Sequence, residues 1–287
     1  MRPLQILLLL IATAASSGAE LREVVYRVVD DRELKMDVAT PDGPGPFPVV
    51  VCLHGGGWSM GNKRSFHPII RDLAERGFVA ATVQYRLAPA ARHPAQVEDA
   101  LAAVRFLRDH AVQWKIDPGQ VALMGASAGA HLALLAGLPE PARKLGINAI
   151  ISISAPTDLR DWRMSESAER ALRESTGKSD SDLLADLLGS PTRTGALVES
   201  ASPVTLVRNS SPPVLIFQWR EDQAVPASQA ERLISALVHS RVQHEIVWFE
   251  GRGHALNGPG VTTIVPHAAA FLSRAFRRAS PDRLPPQ

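Results

Sequence analysis

Three observations predict an α/β fold with a mostly parallel sheet and helices on both faces. Short, wholly apolar runs at residues 49–53, 121–124 and 213–217 read as strands buried on both sides. Longer stretches with helical spacing of apolar residues lie between such runs, as the crossovers of a parallel sheet require. Glycine, proline and aspartate punctuate the junctions.

Taken in order, residues 23–29 and 34–39 read as two strands joined at Asp30-Asp31. A proline- and glycine-rich loop at 41–48 leads into the buried strand at 49–53. A helical segment around 69–76 stops at Gly77, and 78–85 is the next strand. Val97, Leu101, Val104, Leu107 and Ala111 recur at helical spacing, so that stretch lays one face on the sheet. The strand at 121–124 precedes a helix-like stretch at 130–136, and 149–154 is another buried strand. Residues 159–211 break the rhythm. They are rich in Ser, Arg and Glu, with one short helical pattern near 183–188. We read them as a small inserted cap over the site, a solvated surface excursion being the alternative. Trp58, Trp162 and Leu187 are candidates to line an acyl or alcohol pocket, with a core role for Leu187 the simpler one. The strand at 213–217 is followed by a helix with Pro226 in its first turn and His239 at its end. An alternating run at 243–249, a last helix carrying His267 and a proline-containing tail at 279–287 complete the chain.

Chemistry concentrates at two turns. Gly125-Ala126-Ser127-Ala128-Gly129 lies between an apolar run and a helical one. When a strand enters a G-x-S-x-G and a helix leaves it, the turn is sharp, strained and presents the serine hydroxyl. A helix N-cap serine is the plainer alternative. His54-Gly55-Gly56-Gly57-Trp58 follows the strand at 49–53. Three successive glycines suit a chain that must approach something closely. The N–H groups of Gly56, Gly57 and Ala128 are therefore expected to face a developing oxyanion. Trp58 is a candidate substrate contact.

A nucleophilic serine needs a base and the base an orienter, in the order Ser, acid, His. Of the later histidines, His131 lies on the helix leaving Ser127, and His239, His244 and His267 fall on helices or a strand. His254 alone sits on a glycine-flanked loop at a strand end, where catalytic residues gather. The acid is expected at Asp222, on the loop after the strand at 213–217, with Glu221 and Asp158 as alternatives. Asp222 is also placed to interact with the N-terminus of the following helix. Two-step acyl transfer follows, with activity falling below about pH 6.5 as the histidine protonates. No metal or cofactor is expected. His54 is read as ordering its loop.

These motifs, with Gly61, Tyr85-Arg86-Leu87-Ala88-Pro89, Asp99, Val225-Pro226 and Gly253-His254, resemble the α/β-hydrolase superfamily over residues 49–276. The likeness is to secreted carboxylesterases of the hormone-sensitive-lipase-like and bacterial feruloyl- and acetyl-esterase-like branches. It implies an eight-stranded, mostly parallel sheet with a small cap. Ser127-Ala128-Gly129-Ala130-His131 looks more like the carbohydrate and feruloyl esterase branch, since the lipase-like branch more often has Asn at the place of His131. One departure stands out: such families usually end the strand before the acid in His-Gly, where this chain has Gln218-Trp219.

At 287 residues the chain suits one large α/β domain. Its formal net charge of +2 offers no basic footprint for nucleic acid. The single Cys52, in an apolar strand, reads as a small buried hydrophobe. Arg2, the apolar run at 4–15 and Ser17-Gly18-Ala19 have the layout of a secretory signal peptide at 1–19, with an uncleaved anchor as the alternative. The apolar run is short for a membrane span, so a secreted or periplasmic mature protein is expected. A small-molecule ester is the expected substrate. The competing readings are a carbohydrate acetyl or feruloyl esterase, a peptidase of the S9-like kind, and a non-catalytic binding module on a hydrolase fold.

Overall fold

The computed structural model describes residues 19–279, so all but the last residue of the leader expected at 1–19 and most of the tail expected at 279–287 lie outside the described residues. Its strands are β1 (Leu21–Val29), β2 (Arg32–Ala39), β3 (Phe47–Leu53), β4 (Val79–Val83), β5 (Ile116–Ala126), β6 (Ile147–Ile153), β7 (Val214–Trp219) and β8 (His244–Phe249). They form one eight-stranded sheet in the order β1-β2-β4-β3-β5-β6-β7-β8. β1 and β2 are antiparallel, joined at Asp30 and Asp31, both of which have positive φ. β2 pairs antiparallel with β4, and every later pairing is parallel. This agrees with the mostly parallel sheet expected.

The helices, in chain order, are α1 (His67–Glu75), α2 (Ala95–Asp109), α3 (Ala111–Trp114), α4 (Ala128–Gly137) and α5 (Pro141–Lys144). They continue with α6 (Glu166–Thr176), α7 (Asp180–Leu188), α8 (Ala196–Ser200), α9 (Ala227–His239) and α10 (Ile264–Ala279). Alternation along β3 divides the core in two. Val49, Val51 and Leu53 pack on the side of α2, α4 and α9. Val50 and Cys52 pack with Ile70 and Leu73 of α1 and with Phe271 and Leu272 of α10. Both faces of the central strands are covered, which is why they read as unbroken apolar runs. α4 is buried all round, as its apolar and small residues require.

Several boundaries differ from expectation: β5 reaches back to Ile116, β4 is shorter than 78–85, and two helix ends are shifted. Pro226 is the N-cap of α9 rather than part of its first turn. Ala279, where the tail is expected to begin, belongs to α10.

The insertion is more helical than its sequence suggests. α7 corresponds to the pattern near 183–188, and a reciprocal Ser179–Asp182 capping box starts it. α6 was not legible as a helix. It starts at Ser165, whose side chain accepts from the Ala168 N–H, and ends at Gly177 with positive φ. Its residues are mostly charged or small, and none is fully buried.

Candidate active site

The β3–β5 pairing aligns Leu53 with Gly125, so the two chemical loops leave adjacent strands at the same end of the sheet. That is the switch point between β4 on one side of β3 and β5 on the other, the usual crevice of such sheets. The turn at Ser127 is sharp: φ is 54° and ψ is −123°. Gly129 backs onto the Leu53 and His54 carbonyls with no space for a side chain, which lets helix and strand cross this closely. The Ser127 N–H donates to the Ile153 carbonyl at 2.8 Å, fixing the turn to β6. Ser127 occupies the N-cap position, yet its side chain makes no capping bond. Its hydroxyl lies 2.9 Å from His254 Nε2 instead.

His254 Nδ1 lies 2.8 Å from Asp222 Oδ2. The Asp222 side chain is fully buried, and its other oxygen accepts from the Ala224 and Val225 N–H groups at 3.0 and 2.9 Å. Those bonds cap the turn before α9 rather than the helix itself. The imidazole is 31% exposed, open toward the pocket while its carboxylate partner is sealed. Its loop is a tight turn in which His254 and Asn257 exchange two backbone bonds, at 2.7 and 2.9 Å. The Ala255 N–H donates to Ser154 Oγ at 3.2 Å, tying the turn to the end of β6.

The rival acids are occupied elsewhere. Asp158 bonds Arg160 at 2.7 and 2.9 Å and lies 3.7 Å from Arg232. Burial pushes its pKa up, but the Arg160 hydrogen bond and charge hold it below the usual carboxylate value. Glu221 is exposed and faces Arg252 at 3.9 Å. His244 and His267 bond backbone carbonyls, and His239 is exposed at the end of α9.

The glycine loop packs on the nucleophile turn. A Cβ at Gly55 would lie 3.0 Å from the Ala126 carbonyl oxygen and 3.3 Å from Ser127 Cβ. Gly56 has φ of +121°, and its carbonyl accepts from Ser59 and Met60. Among the described residues, the N–H groups of Gly56, Gly57 and Ala128 donate to no acceptor within the fold. His54 orders this loop, as expected. Its Nδ1 bonds the Gly55 carbonyl at 2.7 Å, its ring stacks on Tyr85 at 4.3 Å, and Tyr85 donates to its carbonyl at 2.8 Å. Burial lowers its pKa, so the ring stays neutral.

A cavity of about 390 Å³ opens above Ser127 and His254. Trp58 lines it as expected, and so does Trp162, but Leu187 does not. Leu187 is fully buried, and Leu183, one turn earlier on α7, takes the pocket position and leaves no room for a side chain at Gly57. Ala168, Ala171, Leu172 and Ser175, one stripe of α6, form another wall. The insertion therefore supplies much of the pocket wall. A larger polar groove of about 1010 Å³ passes His54, Lys63 and Arg86 without reaching Ser127. Among the described residues, no three His, Cys, Asp or Glu side chains gather as metal ligands, and no helix is long and apolar enough to cross a membrane.

Gln218-Trp219 proves structural. Gln218 Nε2 donates to the Val225 carbonyl at 2.9 Å, closing the acid loop, and lies 3.4 Å from Asp222 Oδ2. Residue patterns did not reveal the contacts of His131, which reach Trp58 and Ala201.

The family described as BD-FAE matches residues 36–237. Esterase LipC of Mycobacterium tuberculosis is 29% identical over 272 residues, covering 89% of this chain and 65% of that protein. The chain spans about half to two-thirds of the length of such curated relatives. Among solved structures, the propionate-bound thermophilic esterase Est2 of Thermogutta terrifontis is 27% identical. It superposes with a TM-score of 0.69 over 94% of this chain and 97% of that one. An acetyl ester-xyloside bifunctional hydrolase of Caldicellulosiruptor lactoaceticus gives a TM-score of 0.73 over 91% and 98% of the two chains. At 20% identity that second likeness is one of fold.

Proposed function

This chain belongs to the BD-FAE family and has the α/β-hydrolase fold, and on that premise we propose that it is a serine carboxylesterase acting on small apolar acyl esters. The observation that carries the reading is the hydrogen-bonded line from Ser127 through His254 to Asp222 at the floor of an apolar pocket. Similarity to proteins named as esterases supports it.

His254 Nε2 takes the proton of Ser127 as Oγ attacks the ester carbonyl. The Gly56, Gly57 and Ala128 N–H groups receive the oxyanion, and losing one such donor typically raises the barrier by about 3–4 kcal/mol. His254 then protonates the departing alcohol. Water, activated by the same nitrogen, releases the acid. Asp222 accepts from Nδ1 throughout, keeping Nε2 free to act as base. Trp58, Trp162, Leu172 and Leu183 supply apolar contact for the ester. At about 390 Å³ the cavity suits a short acyl group with a modest alcohol better than a polymer or a bulk lipid.

The test is hydrolysis of p-nitrophenyl acetate, butyrate and octanoate beside Ser127→Ala. Turnover of butyrate that disappears in the variant is the expected result. Equal rates for both proteins would reject the esterase and leave a binding module. The leader pattern at 1–19 supports export, which requires that the mature protein recovered outside the cytoplasm begin near Glu20 on N-terminal sequencing.

A further inference from the structure

His131 is fully buried, belongs to the first turn of α4, and takes no part in proton transfer. Its two ring nitrogens nevertheless have assigned work. Trp58 Nε1 can only donate, so His131 Nδ1, 3.1 Å away, must accept. The Ala201 carbonyl can only accept, so His131 Nε2, 2.7 Å away, must donate. Only the neutral tautomer with its proton on Nε2 satisfies both. One ring thus joins the nucleophile helix, the glycine loop and the end of the insertion.

The Trp58 end bears on the chemistry. Trp58 has φ of +61°, a conformation uncommon for a bulky residue, which persists only where surroundings impose it. It follows directly on Gly56 and Gly57, at +121° and +54°. The indole that holds this strained backbone is gripped by His131, both by the hydrogen bond and by an edge contact with ring centroids 5.1 Å apart. Trp162 meets the same indole edge-on at 5.5 Å. His131 itself is anchored, because its N–H donates to the Ser127 carbonyl at 3.0 Å.

We propose that His131 is a positioning residue for the oxyanion-binding loop, acting through Trp58 to aim the Gly56 and Gly57 N–H groups at the transition state. The proposal rests on the esterase reading above. It assigns transition-state geometry to a side chain that never meets the substrate. Its loss should therefore lower kcat and leave KM nearly unchanged.

The two contacts can be separated by side-chain length. An asparagine oxygen reaches about as far as Nδ1 and can still accept from Trp58, whereas a glutamine amide reaches the Nε2 position and keeps only the Ala201 bond. With p-nitrophenyl butyrate, His131→Gln is expected to lose about tenfold or more in kcat, a fraction of what loss of a whole oxyanion donor costs. Its KM should change by less than about twofold. His131→Asn should stay within about threefold of the wild-type kcat. Trp58→Phe should fall as far as His131→Gln, and the double variant no further, since both remove one linkage. Equal kcat in the Asn and Gln variants, or wild-type kcat in Trp58→Phe, would overturn the proposal. Unfolding midpoints measured beside the kinetics identify a uniform loss of fold, which also counts against it. Failure of the esterase reading shows separately, as undiminished turnover by Ser127→Ala.

Discussion

Trp219 Nε1 donates to the Pro259 carbonyl at 3.0 Å, so the strand that delivers the acid also fastens the loop that delivers the histidine. The indole is fully buried and packs on Phe249 with ring centroids 4.6 Å apart. Asp222 lies on the loop that follows β7, and His254 on the loop that follows β8. Trp219→Phe keeps most of the packing and removes the bond, a stability loss of about 1 kcal/mol. The looser His254 loop should cost about tenfold in kcat, since small misplacements of a catalytic group are expensive. Steady-state kinetics beside a denaturant titration check this, and a kcat equal to wild type would show that the clasp has no part in positioning.

Asp222→Asn should retain the fold and lose about four orders of magnitude in kcat. The Ala224 and Val225 N–H groups require an acceptor, so the asparagine oxygen must face them. Its NH₂ then faces His254 Nδ1, which is forced to accept. The ring proton moves to Nε2, the nitrogen that must receive the Ser127 proton. An unchanged unfolding midpoint with kcat lowered by about four orders of magnitude is the expected pair of results. Activity within tenfold of wild type would mean that another group orients the histidine.

The chemistry was more legible in the sequence than its supports. Ser127, Asp222 and His254 each follow a strand run that its own composition announces, so local reading picked out three side chains that the fold brings into hydrogen-bonding line. His131 looked idle because its partners, Trp58 and Ala201, lie some 70 residues away on either side. α6 escaped for a physical reason: its inner stripe of Ala168, Ala171, Leu172 and Ser175 faces the cavity rather than a packed core, so little apolar surface marks it. The choice between Leu183 and Leu187 is one helical turn, which periodicity cannot resolve because both positions lie on the same face.

Asp99 should carry stability rather than catalysis. Its side chain is fully buried on α2, accepting from Arg27 of β1 at 2.5 Å and from Arg86 Nε at 2.8 Å. It also accepts from the Arg86 backbone N–H at 2.9 Å. Asp99→Asn leaves two guanidinium groups underpaired. Breaking a buried pair costs about 3–5 kcal/mol, and the partial exposure of both arginines reduces this to roughly 2–3 kcal/mol. At this chain length that lowers the melting temperature by about 5–10 °C. kcat per folded molecule at 25 °C should be unchanged. A variant as stable as wild type would show that β1 needs no such pin.

Stability should decline as pH falls below about 6.5, before the carboxylates titrate. Burial pushes the His131 imidazole down to about 3, and its Ala201 bond only partly offsets this. Burial lowers His54 and His93 as well. An unfolded chain takes up these protons near pH 6.5, while the folded protein refuses them. The unfolded state therefore binds more protons below that point, and the folded state loses ground as acid is added. A second decline follows at lower pH. The bonds that Lys63 and His67 make to Asp37 outweigh its burial and hold it below the ordinary carboxylate value, so protonating it forfeits them. Each fully shifted histidine contributes about 1.4 kcal/mol per pH unit, on the order of 2–3 kcal/mol between pH 6.5 and 4.5. His131→Asn removes one such group. Its stability should fall less steeply over that interval in urea titrations at matched ionic strength. Parallel slopes for the two proteins would mean that His131 takes up a second ring proton, on Nδ1, in the folded state, which its contact with the Trp58 N–H does not allow.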